Sequence, residues 1–241
     1  RKITSVGKNK LARWAEIKSF GNVIEPDSEQ IKTTSHPLRG KWNTGCFRNN
    51  NPVVLELGCG KGEYTVALAQ KYPEKNFIGI DIKGARLWRG ARTAFERGLR
   101  NVMFVRTRIE FINSLFAEDE IDEIWLTFPD PHEKRRSEPR RLTSPPFLNR
   151  YRNILKNNGI INLKTDNTLL YEYTLKTVKS NNLELLSSVP DIYSAVSGVE
   201  ENSDLYIRTF YEEGFIKEGK KIHFLSFRLP KDKIIRHAGE V

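Results

Sequence analysis

The sequence predicts an α/β fold with a mostly parallel central sheet and helices on both faces. From Pro52 onward, short apolar runs alternate with longer amphipathic segments, and turn residues separate them. This alternation is typical of parallel strands joined by right-handed helical crossovers. The chain has 241 residues, of which 38% are hydrophobic, and this is enough for one large domain with its own core.

The individual elements follow from the length and period of the apolar residues. Apolar runs of about four to eight residues indicate strands, and apolar residues three or four positions apart indicate helices. The expected strands cover Val53–Leu57 and residues 76–80, 102–105, 121–128, 159–164, 183–189 and 222–229. The expected helices cover Glu63–Lys71, residues 83–99, 109–116 and 145–155, and Thr168–Ser180.

The helix expected over residues 83–99 has two unlike faces. At about 100° per residue, Leu87 falls on an apolar half and Arg86 and Arg89 fall on the opposite half. A charged face is usually only solvated, but a face of one sign can also contact phosphates. Together with a formal net charge of +10, it raises the expectation of an anionic partner such as nucleic acid.

Residues 1–50 differ from the rest of the chain. They are rich in Lys, Asn and Gly and show no sustained period. We therefore expect a basic, partly disordered extension before a domain that covers residues 51–241. A short helix over residues 8–20, anchored by Trp14 and Phe20, is the element expected there.

The sequence argues against several classes of protein. No apolar run is long enough for a transmembrane helix, and the N-terminus has no apolar signal region. Cys46 and Cys59 form neither a disulfide framework nor a metal-binding spacing, and the four histidines are scattered. We therefore expect a cytoplasmic protein with no membrane partner and no metal site.

A glycine-rich turn follows the first strand of the domain. Gly58 and Gly60 let the backbone turn sharply and approach a ligand closely. Dinucleotide-binding folds have the spacing G-x-G-x-x-G, whereas here it is G-x-G-x-G, with Glu56 two residues before the first glycine. This acid suits a ligand with an ammonium group, and Asp81 at the end of the next strand can accept hydrogen bonds from a ribose diol. The pattern predicts a site for S-adenosylmethionine; the alternative is a tight turn with two ordinary surface acids.

A second candidate site follows the strand expected over residues 121–128. Asp130 stands there between Pro129 and Pro131, and the cations that begin at Lys134 follow directly. The prolines restrict the backbone on both sides of the acid. In an open α/β sheet this corner lies at the carboxyl edge, where such folds bind ligands. A fixed carboxylate beside cations favours a site for a polyanion; an ordinary solvated basic loop is the alternative.

Six segments occur in a fixed order from about Pro52 to the C-terminus. They read LELGCGKG, FIGIDIK, TFPDPHEKRR, RRLTSPPFL, LKTDN and TFYEEGF. In this combination the chain resembles the bacterial tRNA (guanine-N7)-methyltransferases. The resemblance implies a Rossmann-like class I methyltransferase fold with a late antiparallel strand. It also implies transfer of a methyl group from S-adenosylmethionine to N7 of a guanosine in the tRNA variable loop, so that tRNA is the expected partner.

The resemblance implies roles for single residues as well. Asp130 matches the acid assigned to catalysis and to the donor site. The residues expected at the donor are Glu56, Gly58, Gly60, Asp81, Arg108 and Asp130. Those expected at the substrate are Lys134, Asp166, Thr209, Phe210, Tyr211 and Glu212. The cations expected on the tRNA backbone are Arg135, Arg136, Arg140 and Arg141.

The chain departs from the family pattern at a few positions. His132 and Glu133 replace the residues that usually follow the Pro-Asp-Pro element. Arg108 stands where the family usually has an acid or Asn near the adenine. A main-chain contact with the donor survives that change, whereas a side-chain role does not.

Other functions remain open at this point. A methyltransferase acting on another RNA or on a small molecule would use the same donor site, although a small molecule gives little reason for the basic helix face. A non-catalytic RNA-binding protein would be expected to have lost the donor acids, and Glu56 and Asp81 are both present. The glycine spacing argues against a nicotinamide-dependent dehydrogenase. The sequence leaves both a monomer and a homodimer open.

Overall fold

The computed structural model describes residues 12–13, 15–194, 198–200 and 203–239. The strands are β1 (Val23–Ile24), β2 (Val53–Leu57), β3 (Asn76–Asp81), β4 (Val102–Arg106), β5 (Ile121–Thr127), β6 (Leu155–Thr165), β7 (Leu185–Val189) and β8 (His223–Leu229). They form one sheet in the order β1-β4-β3-β2-β5-β6-β8-β7. Neighbouring strands from β1 to β6 are parallel, and β8 is antiparallel to both β6 and β7. The predicted mostly parallel sheet with a late antiparallel strand is confirmed.

Most helices lie where the sequence predicts them. They are α1 (Gln30–Thr33), α2 (Glu63–Lys71), α3 (Gly84–Glu96), α4 (Ile112–Leu115), α5 (Pro145–Arg152), α6 (Thr168–Ser180) and α7 (Phe210–Lys217). Helices α2 and α6 match the prediction residue for residue. Helix α3 ends before residue 99 because Gly98 has a φ of 65°, the left-handed conformation in which glycine terminates helices.

Three predictions of secondary structure were wrong. Residues 109–116 form the 3₁₀ turn Ile109–Phe111 followed by the single-turn helix α4. Helix α5 stops at Arg152 because β6 already begins at Leu155. No helix was predicted over Phe210–Lys217, where α7 forms.

Helices cover the sheet on both faces, because successive strand residues point to opposite sides. On one face, Leu55 and Ile78 belong to a core that includes residues of α4, α5 and α6. On the other face, Val54 and Phe77 belong to a core that includes residues of α2 and α3. The predicted layers are therefore confirmed. Among the described residues, no helix combines the length and the apolar character needed to cross a membrane.

Residues 15–50 pack against this domain. Strand β1 pairs with β4 at the edge of the sheet. Trp42 is fully buried, and its indole nitrogen donates to a main-chain carbonyl oxygen at 2.9 Å. Phe20 is also buried, whereas Trp14 and residues 1–11 lie outside the described residues. This part of the expected extension thus contributes side chains to the core.

Candidate active site

The glycine-rich turn joins β2 to α2 at the carboxyl edge of the sheet. Gly58 and Gly60 have φ angles of 78° and 55°, which residues with a side chain rarely adopt. The amides of Gly58 and Cys59 donate to the Ile80 carbonyl oxygen at 2.8 and 3.0 Å, and this fixes the turn against β3. A Cβ placed on Gly58 or Gly60 would meet no neighbouring atom closer than 3.9 Å. The space above these two residues is therefore open to a ligand.

Glu56 lies beneath this turn with 3% of its surface exposed. One carboxylate oxygen accepts from the Thr65 amide at 2.8 Å and from the Thr65 hydroxyl, and the other accepts from the Thr127 hydroxyl. Burial raises the pKa of Glu56 to about 7, and these hydrogen bonds oppose the shift. A cation bound nearby would favour the ionised form, so this acid fits a ligand that carries an ammonium group.

Asp81 ends β3 and also holds the turn. Its carboxylate accepts from the Gly60 amide at 2.9 Å and from the Lys83 amide at 2.7 Å. A carboxylate has about four acceptor sites, so about two remain for a diol. The next residue, Ile82, is apolar and yet 54% exposed, which gives an apolar surface beside the acid. Sequence reasoning missed Ile82, although a large apolar residue directly after a strand-end acid was a usable signal.

The arrangement of these residues fits the expected S-adenosylmethionine. Glu56 is an enclosed acid suited to an ammonium group, and Asp81 is a partly exposed acid suited to a diol. The open glycine turn lies between them. Each feature belongs to the carboxyl end of β2 or β3, so the parallel register brings them together.

Close packing holds the glycine turn against α3. A Cβ on Gly62 would lie 2.5 Å from the Phe104 ring, and one on Gly90 would lie 2.7 Å from the Lys61 carbonyl oxygen. Both distances are far shorter than a van der Waals contact, so only glycine fits at either position. Gly90 was not predicted to matter; a glycine inside a helical pattern is the signal that could have identified it.

Arg108, which follows β4, forms a surface ion pair. Its guanidinium lies 3.1 Å from the Glu110 carboxylate, and 58% of its side chain is exposed. Exposed pairs of this kind contribute little to stability, so the side chain can rearrange easily. A role for Arg108 at the donor stays a prediction.

The loop after β5 brings Asp130 to the same edge of the sheet. Strand β5 lies beside β2, and Thr127 at its end contacts Glu56. Asp130 is exposed, so a ligand can reach its carboxylate. The residues on either side of the Pro-Asp-Pro element, Phe128 and His132, have φ angles of 49° and 44°. The acid therefore lies in a tight and unusual loop at the same edge of the sheet as Glu56 and Asp81, the acids expected at the donor.

The cations that follow Asp130 are of two kinds. The exposed ones are Lys134, Arg135, Arg136 and Arg140. Arg141 is only 5% exposed. Its Nε donates to the Pro131 carbonyl oxygen at 3.0 Å, and its Nη2 donates to the His132 carbonyl oxygen at 3.2 Å. The Arg141 guanidinium thus donates hydrogen bonds inside the protein, and its expected contact with the tRNA backbone stays a prediction.

The turn after β6 carries Asp166, whose side chain is 18% exposed and lies 3.1 Å from Lys220. The next residue, Asn167, caps α6 by accepting from the Leu170 amide at 2.9 Å. Its side-chain amide also donates to Glu133 at 3.0 Å. Glu133, which departs from the family pattern, thus links the Asp130 loop to the start of α6.

A buried ion pair holds the start of α7. The Thr209 hydroxyl accepts from the Glu212 amide at 3.2 Å as part of a capping box. The side chains of Glu212 and Lys164 are both 0% exposed, and their charged atoms are 2.8 Å apart. The Tyr193 hydroxyl donates to the same carboxylate at 2.8 Å. Burial lowers the pKa of Lys164 to about 8, although Glu212 opposes the shift. Glu212 is therefore enclosed by protein groups in this arrangement.

The two residues between Thr209 and Glu212 face solvent. Phe210 is 60% exposed and Tyr211 is 37% exposed. The Lys61 ammonium lies 3.4 Å from the centre of the Phe210 ring, and the Arg86 guanidinium lies 5.7 Å from the centre of the Tyr211 ring. Aromatic rings and cations therefore meet beside the glycine turn, a combination that suits unstacked bases and phosphates of RNA. Among the described residues, no cluster of His, Cys, Asp and Glu side chains could bind a metal ion.

The chain is similar to known methyltransferases along most of its length. A family model described as "Putative methyltransferase" matches residues 50–225. The chain is 50% identical over 222 residues to the tRNA (guanine-N(7)-)-methyltransferase of Christiangramia forsetii, which covers 92% of this chain and 98% of that protein. It is 43% identical over 236 residues to the protein of the same name from Bacteroides fragilis, with 96% and 90% covered.

A solved structure supports the fold independently. The 30S ribosomal A1408 methyltransferase from an uncultured bacterium aligns with a TM-score of 0.54 and 18% identity over 81% of this chain and 98% of that chain. At this identity the likeness concerns the fold alone, and it agrees with the predicted class I methyltransferase architecture.

Proposed function

This chain belongs to the tRNA (guanine-N(7)-)-methyltransferase family, and we propose that it transfers a methyl group from S-adenosylmethionine to N7 of a guanosine in tRNA. The observation that carries the proposal is the meeting of three features at one edge of the sheet. These are the glycine turn with its two acids, the exposed Asp130 and the exposed cations that follow it. We extend the proposal to a guanosine of the variable loop.

The donor is held by the carboxyl ends of β2 and β3. Asp81 has acceptor sites left for the ribose hydroxyls, and Ile82 offers an apolar surface to the base. Glu56 supplies negative charge beneath the turn for the ammonium group of the donor. When bound, S-adenosylmethionine supplies an electrophilic methyl group on a sulfonium sulfur.

The protein has little proton chemistry to perform on the acceptor. Guanine N7 carries an exposed lone pair, so no side chain has to remove a proton before attack. The residues at the sheet edge instead align N7 and exclude water. The base gains positive charge, and Asp130, an exposed carboxylate on a restricted loop, is suited to stabilise it. Asp166 accepts hydrogen bonds from the guanine in place of Lys220, since the exposed lysine side chain is readily displaced.

Exposed cations on two sides of the site bind the RNA backbone. One group follows Asp130, and the other lies just before α3 and on its outer face. The second group includes Lys83, Arg86 and Arg89. Contacts of this kind place the substrate without reading its sequence, and they make binding sensitive to salt. We infer that the protein acts on tRNA in the cytoplasm, as a monomer or a homodimer that light scattering can distinguish.

The function is tested by transfer of labelled methyl groups from S-adenosylmethionine to an unmodified tRNA transcript. Chemical cleavage specific for N7-methylguanosine then maps the product. We expect one labelled guanosine, in the variable loop, and no label in a matched transcript that carries adenosine there. Transfer to another RNA but not to tRNA would change the acceptor, and label at another atom would contradict the proposed chemistry.

The role of Asp130 has a separate test. Asp130→Ala should lose methyl transfer while it keeps most of its affinity for tRNA, because the phosphate contacts are made by other side chains. Asp130→Asn is the matched control for size, and it should be nearly as inactive because the charge is lost. Normal turnover in either variant would exclude a catalytic role for the carboxylate.

A further inference from the structure

Arg141 is buried, unlike the other cations of its basic segment. Arg140, its direct neighbour, is exposed, whereas Arg141 is 5% exposed. The Arg141 guanidinium carbon lies 4.3 Å from the centre of the Tyr173 ring on α6. The cation therefore stacks on an aromatic face inside the protein, a contact that favours a planar guanidinium.

The N–H groups of this guanidinium hold the loop that carries Asp130 through hydrogen bonds. Nε donates to the Pro131 carbonyl oxygen at 3.0 Å, and Nη2 donates to the His132 carbonyl oxygen at 3.2 Å. Pro131 and His132 are the two residues that directly follow Asp130. The main chain on the carboxyl side of the acid is thus tied to helix α6 through one buried side chain.

The backbone of this loop needs such support. Phe128 and His132 both have positive φ angles, of 49° and 44°, and neither is a glycine. A residue in this region typically costs about 1–3 kcal/mol and persists only where its surroundings enforce it. Arg141 binds the carbonyl group of one of these two residues. Loss of its hydrogen bonds would therefore let the loop relax toward a more ordinary conformation.

We propose that Arg141 is a positioning residue for Asp130 and makes no contact with the tRNA backbone. It acts by fixing the main chain of Pro131 and His132 and so the direction of the neighbouring carboxylate. The phosphate contacts of the segment then belong to the exposed cations around it. This inference rests on the proposed function, in which Asp130 stabilises charge on the methylated base.

Charge alone does not account for this role. A lysine at residue 141 would keep the positive charge but could not donate from a planar fork to two carbonyl groups while stacking on Tyr173. Arg141→Lys therefore separates positioning from phosphate binding: a phosphate contact largely survives this change, and a positioning role does not. Arg140→Met is the matched contrast, since it removes an exposed cation from the adjacent position.

The experiment measures kcat, KM for tRNA and the salt dependence of tRNA binding for each variant. Arg141→Lys should lower kcat by about 10- to 100-fold, the range typical of a displaced catalytic group. Its tRNA affinity and salt slope should stay close to those of the wild type. Arg140→Met should weaken tRNA binding and reduce the salt slope by about one. Tyr173→Leu, which removes the stacking ring, should lower kcat by about 3-fold or more.

Tryptic cleavage after Arg135 or Arg136 gives a second readout that needs no substrate. Cleavage should be faster in folded Arg141→Lys than in the wild type, because the loop is released. A wild-type protein that methylates no tRNA would defeat the proposed function, and the cleavage rates would still decide the role of Arg141. Normal kcat and unchanged cleavage in Arg141→Lys would overturn the inference, because a phosphate contact survives this change and a positioning role does not.

Discussion

Removal of either partner of the buried ion pair between Lys164 and Glu212 should strongly destabilise the protein. We consider the single variants Lys164→Met and Glu212→Leu and the double variant. Both side chains are 0% exposed, so each single variant leaves a buried ionisable group without its partner. Breaking a buried pair in this way typically costs about 3–5 kcal/mol. A domain is stable by only about 5–15 kcal/mol, so either single variant should lose a large share of its unfolding free energy.

The double variant should lose much less than the two single variants together. Removal of both charges eliminates their desolvation and can gain about 1–4 kcal/mol of packing. However, the Tyr193 hydroxyl and the Ile207 carbonyl oxygen lose their partners. Each group that loses its bond costs about 1–3 kcal/mol, so the net change should lie between a gain of about 2 kcal/mol and a loss of about 5 kcal/mol. The corresponding sum of the single losses is about 6–10 kcal/mol.

Urea unfolding of the four proteins at pH 7 measures this coupling. That pH is below the pKa of about 8 for Lys164, so its ammonium group is charged. Linear extrapolation gives the unfolding free energies, provided that the m-values agree. Lys156→Met, which removes an exposed ion pair to Asp122, is the control and should change little. Single losses below about 1 kcal/mol, or a double loss equal to their sum, would refute the reasoning.

Three further predictions concern the donor site and its surroundings. Gly90→Ala places a Cβ 2.7 Å from the Lys61 carbonyl oxygen, so thermal unfolding should show that the unfolding free energy falls by about 1–3 kcal/mol. The control is Gly214→Ala, at a helical position with nothing within 4 Å, and it should be neutral or stabilising. The raised pKa of Glu56 means that ionisation opposes folding. The unfolding free energy of the wild type relative to Glu56→Gln should therefore fall by at most about 3 kcal/mol as pH rises from 4.5 to about 7. Urea unfolding of both proteins at pH 5 and pH 7.5 measures this change. The same difference at both pH values would contradict the prediction. Arg108→Ala removes only an exposed ion pair, so calorimetry should find donor affinity changed by less than about threefold, and a larger loss would assign its side chain to the donor site.

Apolar runs with clear ends made much of the fold predictable. Strand β2 matches the expected Val53–Leu57, and Asp81 ends β3 at the expected corner. Since carboxyl ends of parallel strands share one edge of the sheet, Glu56 and Asp81, the acids proposed to bind the donor, could be placed together without coordinates. Helix α7 was missed although Thr209 and Glu212 have the spacing of a capping box, which predicts a helix start.

Burial of charged residues was not predictable in the same way. Arg140 and Arg141 are adjacent and identical in type, yet one is exposed and the other is 5% exposed. The difference arises because the folded loop offers two carbonyl groups and a ring to Arg141, and these groups come from separate parts of the chain. Similarly, nothing in the local sequence indicates that Lys164 meets Glu212, since the pair forms only when α7 packs onto β6.

Strand β1, the shortest strand, covers part of one edge of the sheet. Val23 and Ile24 of β1 pair with Phe104 and Val105 of β4, so the main chain of β4 is covered there. Without β1, β4 would become an open edge whose unpaired amide and carbonyl groups can recruit a strand from another molecule. The N-terminal segment thus shields the sheet against edge-to-edge aggregation. A fragment limited to the region that begins at residue 50 would lose this shield even though it keeps the proposed donor residues Glu56 and Asp81.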